Sequence, residues 1–416
     1  TMLQSYFFEG FLKDRFEPEE HIEDWRSVGQ EAWQIARGPI PGPVHLNLRF
    51  DEPLYFEGKD IPETLKPIGE LHYAFQEKVL PNFPPKLLVL AGQLPKSLAQ
   101  AIRPMLEQGI SQGLNFWGDI SSHLWDLSPF GAYPEWLWNQ KNPSQMPEAI
   151  LVIGGTLLPR RWDAFVQSNP KVRWFQALHF GPSSPRFHPN TQCLDLALPE
   201  LMNQLSLKDW KTIDMPKAMP PLPEGWHDLS AAALFLQSLK EGDALHLGNS
   251  MSIRYASFLR HLLPESVEVW CNRGLSGIDG IQSTACGHAA ARPDQRQFVL
   301  TGDLAMNYDN NGWLSSPKPP PMTQMVLNNN GGQIFRLLPG SSKAAQSEQL
   351  FATPSQGDFK WLAQRFGWEY LSSDGMPVVS TSIPNEQSLL WEAKTQPQCS
   401  KEAWEAWHKS ILEQKA

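Results

Sequence analysis

The chain has 416 residues, of which 41% are hydrophobic and 19% charged, with a formal net charge of −9 at pH 7. A chain of this length holds two or three domains, and an acidic balance with no long basic run argues against nucleic acid as a partner. No apolar stretch approaches the roughly 20 residues of a membrane span, so no membrane partner is expected.

From the N-terminus, the opening Thr1-Met2-Leu3-Gln4-Ser5-Tyr6 lacks the basic lead and apolar core of a secretion signal. Trp25 to Ala36 has the spacing of an amphipathic helix, and Gly42 to Leu48 reads as a strand closed by Pro53-Leu54. A segment with scattered prolines runs to about Pro85. Lys86 to Gly92 opens an α/β unit, with further strands at Ala149 to Ile153 and near Val172 to Ala177. After the strand ending at Ile153, Gly154-Gly155 makes a turn and the adjacent cations Arg160 and Arg161 open a helix. Prolines from Pro216 to Pro223 end this region, and from His227 strand and helix patterns alternate to the C-terminus. Such alternation predicts an α/β fold of parallel sheets covered by helices.

The four cysteines, Cys193, Cys271, Cys286 and Cys399, are scattered without a Cys-x-x-Cys pair. They suggest neither a disulfide scaffold nor a zinc site and fit a reducing cytoplasm. Cys286-Gly287-His288 offers two potential ligands and is better read as core packing.

Three segments of the last region carry chemistry. In Leu247-Gly248-Asn249-Ser250-Met251-Ser252-Ile253-Arg254, Ser250 is placed to cap a helix and Arg254 lies one turn along on the same face. Asn272-Arg273-Gly274-Leu275-Ser276-Gly277-Ile278-Asp279-Gly280 follows the strand-like Val267 to Trp270 and precedes a small-residue helix read from Ser283. Its glycines let backbone approach a ligand, and the helix N-terminus behind it favours anions. Finally, the strand Gln297 to Thr301 ends at Gly302-Asp303, and a second strand, Met322 to Leu327, ends at Asn328-Asn329-Asn330-Gly331-Gly332-Gln333-Ile334-Phe335. In an open parallel sheet both ends open onto one crevice. There Asp303 offers a carboxylate, Asn329 an amide oxygen and Gly331 a carbonyl, a hard oxygen set suited to Mg²⁺ that is also held by phosphate oxygens.

These motifs, in this order, resemble those of the thiamine-diphosphate enzymes, and within them the 2-succinyl-5-enolpyruvyl-6-hydroxy-3-cyclohexene-1-carboxylate synthases (MenD) of menaquinone biosynthesis. The resemblance implies ThDP-enzyme domains: the end of a pyrimidine-binding domain over 1–55, a linker over 56–85, a central α/β domain over 86–216 and a diphosphate-binding domain over 217–416. It implies thiamine diphosphate and Mg²⁺, or Mn²⁺ in its place, with Asp303, Asn329 and Gly331 as metal ligands. Ser276, Gly277, Ile278, Gly302, Asp303, Leu304, Asn329, Gly331 and Ile334 would line the cofactor, Ile278 as the wedge that keeps it bent. Ser250, Arg254 and Arg273 would take the distal carboxylate of 2-oxoglutarate, an anion that arginine grips through paired hydrogen bonds. Arg160 and Arg161 would face isochorismate, with Phe335 and Leu338 walling the pocket beside Ile334. The implied reaction is decarboxylation of 2-oxoglutarate with transfer of the succinyl carbanion to isochorismate, in a cytoplasmic homodimer or homotetramer.

The departures also carry expectations. Most of the pyrimidine-binding domain, with the family's essential glutamate, is expected to be missing, so no residue is assigned that role. Arg160 stands where lysine is common, and Leu304 to Tyr308 lacks the usual histidine. Ser355 replaces a frequent histidine. Two other readings of the chain are a different ThDP enzyme, such as an oxoacid decarboxylase or acetolactate synthase, and a non-catalytic ThDP-binding or assembly protein.

Overall fold

The first regular elements are a short parallel pair, β1 (Asp14–Phe16) and β2 (Val44–Leu46), connected through helix α1 (Trp25–Arg37). The structure is a computed structural model, and it describes residues 8, 10–17, 25–38, 42–48, 81–128, 130–159, 161–177, 191–194, 196–216, 218–314, 319–355, 357–376 and 387–414. The proline-rich linker read over 56–85 therefore lies outside the described residues except for its last five.

The central region is a parallel sheet in the order β4-β3-β5-β6-β7. Its strands are β3 (Leu87–Ala91), β4 (Asn115–Gly118), β5 (Ala149–Ile153), β6 (Arg173–Ala177) and β7 (Gln192–Leu194). Every residue of β3 and β5 is buried, as expected where helices cover both faces and the strand must be apolar throughout. Those helices are α2 (Lys96–Ser111), α3 (Tyr133–Trp138), α4 (Trp162–Ser168) and α5 (Leu198–Ser206).

The second parallel sheet has the order β12-β13-β11-β10-β8-β9. It comprises β8 (Ala244–Leu247), β9 (Glu268–Cys271), β10 (Gln297–Gly302), β11 (Met322–Asn328), β12 (Glu369–Ser373) and β13 (Leu389–Lys394). Helices α6 (Asp228–Gln237), α7 (Met251–Phe258), α8 (Ile281–Ala291), α9 (Asp303–Tyr308), α10 (Gln333–Leu337), α11 (Phe359–Phe366) and α12 (Pro397–Leu412) cover it. The strand order reverses between β8 and β10, and a parallel sheet opens a ligand crevice at the carboxyl ends beside such a reversal. The α/β class with parallel, helix-covered sheets is thus the one expected.

Two local readings change. Helix α8 starts at Ile281, before Ser283, because Gly280 takes the left-handed conformation (φ +72°) that ends the preceding loop. Ser250 does occupy the N-cap position of α7, but its side chain makes no capping hydrogen bond, and its backbone is held at φ +70°, ψ −123°. That conformation is rare for a residue with a Cβ. Cys286 is buried in the core of the second sheet, and no disulfide joins any of the four cysteines among the described residues.

The two sheets share packing. Gly131 lies against α7 so closely that a Cβ would meet the Ser257 carbonyl oxygen at 2.0 Å. Arg260, fully buried, donates from Nη1 to the Gly118 carbonyl at 2.5 Å and lies 5.0 Å from the Trp117 ring. Trp136 Nε1 donates to the Gln414 carbonyl at 3.1 Å, joining α3 to the end of α12.

Candidate functional site

Five strand ends converge on the crevice: β8 runs into Gly248-Asn249-Ser250, β9 into Asn272-Arg273, β10 into Asp303, β11 into Asn329 and β13 into Thr395. Asp303 heads α9, is 1% exposed, and is fixed from both sides. Its Oδ1 accepts from the Leu304 N–H at 2.8 Å, and its Oδ2 accepts from the Gly331 N–H at 2.7 Å. The second bond ties the end of β10 to the turn after β11. Burial pushes this carboxyl up to about 7, the nearby Asp228 charge adds to the rise, and the two N–H donors oppose it.

Asn329 is buried, and its Nδ2 donates to Asp228 Oδ2 at 2.7 Å. Its Oδ1 is buried with no hydrogen-bond partner. An orphaned amide oxygen beside a buried carboxylate is costly unless something electropositive sits against it. Gly331 adopts φ +124°, and a Cβ there would lie 2.4 Å from the Ala352 carbonyl oxygen. Only glycine lets this turn pass under the 352–353 segment, and the Gly332 N–H donates to the same carbonyl at 2.6 Å.

Arg336 braces the turn from beneath. Its Nη2 donates to the Asn330 carbonyl at 2.9 Å, its Nη1 to the Asn329 carbonyl at 3.3 Å, and it pairs with Glu348 at 2.9 Å. A carboxylate, an unpartnered amide oxygen and a tight glycine turn form an oxygen donor set that fits a hydrated Mg²⁺ or Mn²⁺.

The loop after β9 is organised by Asn249. Its Nδ2 donates to the carbonyls of Asn272 at 2.8 Å and Gly277 at 2.6 Å, and its Oδ1 accepts from Arg273 Nη1 at 2.8 Å. Arg273 Nε is buried without a partner. Ser276 sits at φ +61°, and half-buried Ile278 packs against the core beneath α8. Arg254 Nη1 returns to the Ser250 carbonyl at 2.5 Å, so the predicted one-turn spacing brings these two together.

Arg161 stands at the N-cap of α4 and is exposed; its charge, after burial, helps hold the His408 imidazole of α12 below its usual range. Arg160 lies outside the described residues. Ile334 and Phe335 on α10 are half-buried, and Leu338 is exposed. Of the departures, Tyr308 is exposed and Ser355 Oγ accepts from Asn307 Nδ2 at 3.0 Å.

Three residues of this site were not singled out in the sequence. Asn249 and Arg336 lie inside or beside quoted motifs, and their polar character at a strand end and within an apolar run was the available signal. Asp228 had none, since Trp226-His227-Asp228-Leu229-Ser230 reads as an ordinary helix start.

The fold and these strand-end residues define the class, an α/β chain with a ligand crevice at the carboxyl ends of a parallel sheet. Among its relatives are several named 2-succinyl-5-enolpyruvyl-6-hydroxy-3-cyclohexene-1-carboxylate synthase. The chain is 29% identical over 389 residues to that of Cytophaga hutchinsonii, covering 85% of this chain and 66% of that protein. It is 26% identical over 439 residues to that of Porphyromonas gingivalis, covering 95% and 75%. For Microcystis aeruginosa the figures are 28% over 399 residues, 85% and 68%. The chain spans 66%, 62% and 64% of the length of three of the curated relatives it matches. No protein-family profile matches it. Among the described residues no helix is long and apolar enough to cross a membrane.

Proposed function

We propose that this chain carries the diphosphate-binding and substrate-clamping part of a thiamine-diphosphate- and Mg²⁺-dependent synthase of menaquinone biosynthesis. The observation that carries the reading is the orphaned Asn329 Oδ1 beside buried Asp303 and the Gly331 turn. Residues 86–216 and 217–416 are read as its central and diphosphate-binding domains. The names of the relatives support a synthase of this kind; 2-oxoglutarate would be the donor and isochorismate the acceptor.

Asp303, Asn329 and the Gly331 carbonyl would hold the cation, with Gly302, Leu304, Ser276, Gly277, Ile278 and Ile334 around the cofactor. When bound, thiamine diphosphate supplies the nucleophilic carbon and the electron sink for loss of CO₂ from a 2-oxo acid. The protein binds, orients and excludes water. Arg273 is held by Asn249, and Arg254 by the Ser250 carbonyl. Anchoring of this kind pre-pays part of the ordering a dicarboxylate would otherwise require. Arg160 and Arg161 would take the acceptor's carboxylates, and Phe335 and Leu338 would limit water. The active form is read as a homodimer or homotetramer.

Calorimetry of Mg²⁺ and thiamine diphosphate binding tests the site. Binding that requires both, and is abolished by Asp303→Ala, is the expected result; equal binding by wild type and Asp303→Ala would overturn the assignment. Consumption of 2-oxoglutarate only when isochorismate is present tests the reaction.

A further inference from the structure

Asp228 is the most thoroughly buried carboxylate in the crevice, at 0% exposure, yet the reading above gives it no role. Four elements meet on it. Its Oδ2 accepts from Asn329 Nδ2 at 2.7 Å and from the Tyr255 hydroxyl of α7 at 3.2 Å. Its Oδ1 accepts from the Thr395 hydroxyl just past β13, and its backbone N–H donates to Ser400 Oγ of α12 at 3.0 Å. No cation pairs with it among the ion pairs of the described residues. Burying a carboxylate on hydroxyl and amide donors alone is unfavourable, and its pKa is raised, with burial the leading cause. A neutral side chain would fill the same space more stably, so the arrangement calls for an account beyond stability.

The account lies in the amide it holds. A side-chain amide has a donor end and an acceptor end that are nearly the same shape, and only its partners choose between the two orientations. The carboxylate takes the donor end of Asn329. The acceptor end is thereby turned away from Asp228, and it is the one left buried without a partner. We infer that Asp228 is a positioning residue that locks the Asn329 amide with its oxygen presented to the cation beside Asp303. Tyr255 and Thr395 hold the carboxylate itself in place, so the lock is built from α6, α7 and the end of β13 and acts on the end of β11. The inference deepens the proposed function and rests on Asn329 being a metal ligand; the lock itself is a property of the metal-free protein.

The test uses the whole chain. In Asp228→Asn the new side chain can offer either end to Asn329, so the choice of orientation is lost. Partners of this kind typically contribute about ten- to a hundredfold to metal affinity. Mg²⁺-dependent thiamine diphosphate affinity should therefore fall about ten- to a hundredfold, while thermal unfolding of the metal-free variant shows no comparable loss. In an Asn329→Ala background there is no amide to orient, and Asp228→Asn should then change affinity by less than about threefold. Independent losses from the two substitutions, or wild-type affinity in Asp228→Asn, would overturn the lock.

A second readout does not depend on the cofactor. In metal-free wild type, the Asn329 Nδ2 protons should exchange slowly with solvent, and in Asp228→Asn they should exchange faster and shift in the amide spectrum. Unchanged protons would sink the inference whatever the binding data show. If wild type binds no Mg²⁺ and thiamine diphosphate at all, the functional reading falls, and this exchange measurement still decides whether the lock exists.

Discussion

Asn249 and Arg273 stand at the ends of the adjacent parallel strands β8 and β9, and Arg273 Nη1 donates to Asn249 Oδ1 at 2.8 Å. The same amide holds the backbone on both sides of the loop, at Asn272 and Gly277. One side chain thus sets both the course of the loop and the direction of its cation. Arg273→Ala should weaken 2-oxoglutarate binding, in the presence of Mg²⁺ and thiamine diphosphate, by about ten- to a hundredfold. Pyruvate, which has no distal carboxylate, should be affected far less. Asn249→Ala should act in the same direction on 2-oxoglutarate and also lower stability by about 1–3 kcal/mol, since two backbone carbonyls and the guanidinium lose their partner. Equal losses on both oxo acids, measured by calorimetry, would make Arg273 a structural residue.

The joint between the two sheets gives a prediction about stability alone. A methyl at Gly131 would meet the Ser257 carbonyl at 2.0 Å and Arg260 Nε at 3.1 Å, and backbone cannot yield as a flexible side chain would. Gly131→Ala should therefore cost about 1–3 kcal/mol or more through overpacking. Urea unfolding reads this as a lower midpoint. An unchanged midpoint would mean that the central region and α7 separate easily in solution.

Much of the fold was legible because parallel strands covered on both faces leave an apolar run with sharp ends. The strand read at Ala149 to Ile153 is the strand found, and the runs ending at Asp303 and at the Asn cluster end there in space. Spacing also placed Arg254 one turn from Ser250. What was not legible depends on contacts across the chain. Nothing near Asp228 in sequence reveals an amide from β11 closing on it, and nothing in Gly248-Asn249-Ser250 shows that the turn strains Ser250 to φ +70° instead of letting its hydroxyl cap α7. Cap propensity is a local preference, and here the tertiary path of β8 into α7 overrides it.

The turn after β11 makes a third prediction. Gly331 combines φ +124° with a neighbour 2.4 Å from any added Cβ. Gly331→Ala is strained in conformation and in space, and should displace either the Asn turn or the 352–353 segment. Since the Gly331 N–H also holds Asp303 Oδ2, the loss should appear both in unfolding midpoint and in Mg²⁺ affinity. A variant that keeps wild-type Mg²⁺ affinity would show that the turn is not part of the cation site.

The last prediction concerns pH. Burial raises the Asp303 carboxyl to about 7 in the metal-free protein, and a protonated carboxyl is a poor ligand, so a cation must displace the proton. Below that pKa, affinity for Mg²⁺ with thiamine diphosphate should fall by up to about tenfold per pH unit, with nearly one proton released per cation bound. Well above it, affinity should level off and proton release vanish. The linked effect on the metal-free protein has the opposite sense. A raised carboxyl stabilises the fold most below its unfolded value, and that contribution is lost as pH rises through about 7. Mg²⁺ and thiamine diphosphate should thus raise the unfolding temperature most on the alkaline side. Asp303→Asn should bind weakly with a flat pH profile, whereas Asn329→Ala should bind weakly but keep the slope, because it removes a neutral ligand and leaves the titrating one. Calorimetry in two buffers of different ionisation enthalpy separates proton release from the heat of binding. A wild-type affinity that is constant from about pH 6 to 8, with no proton released, would remove Asp303 from the cation site.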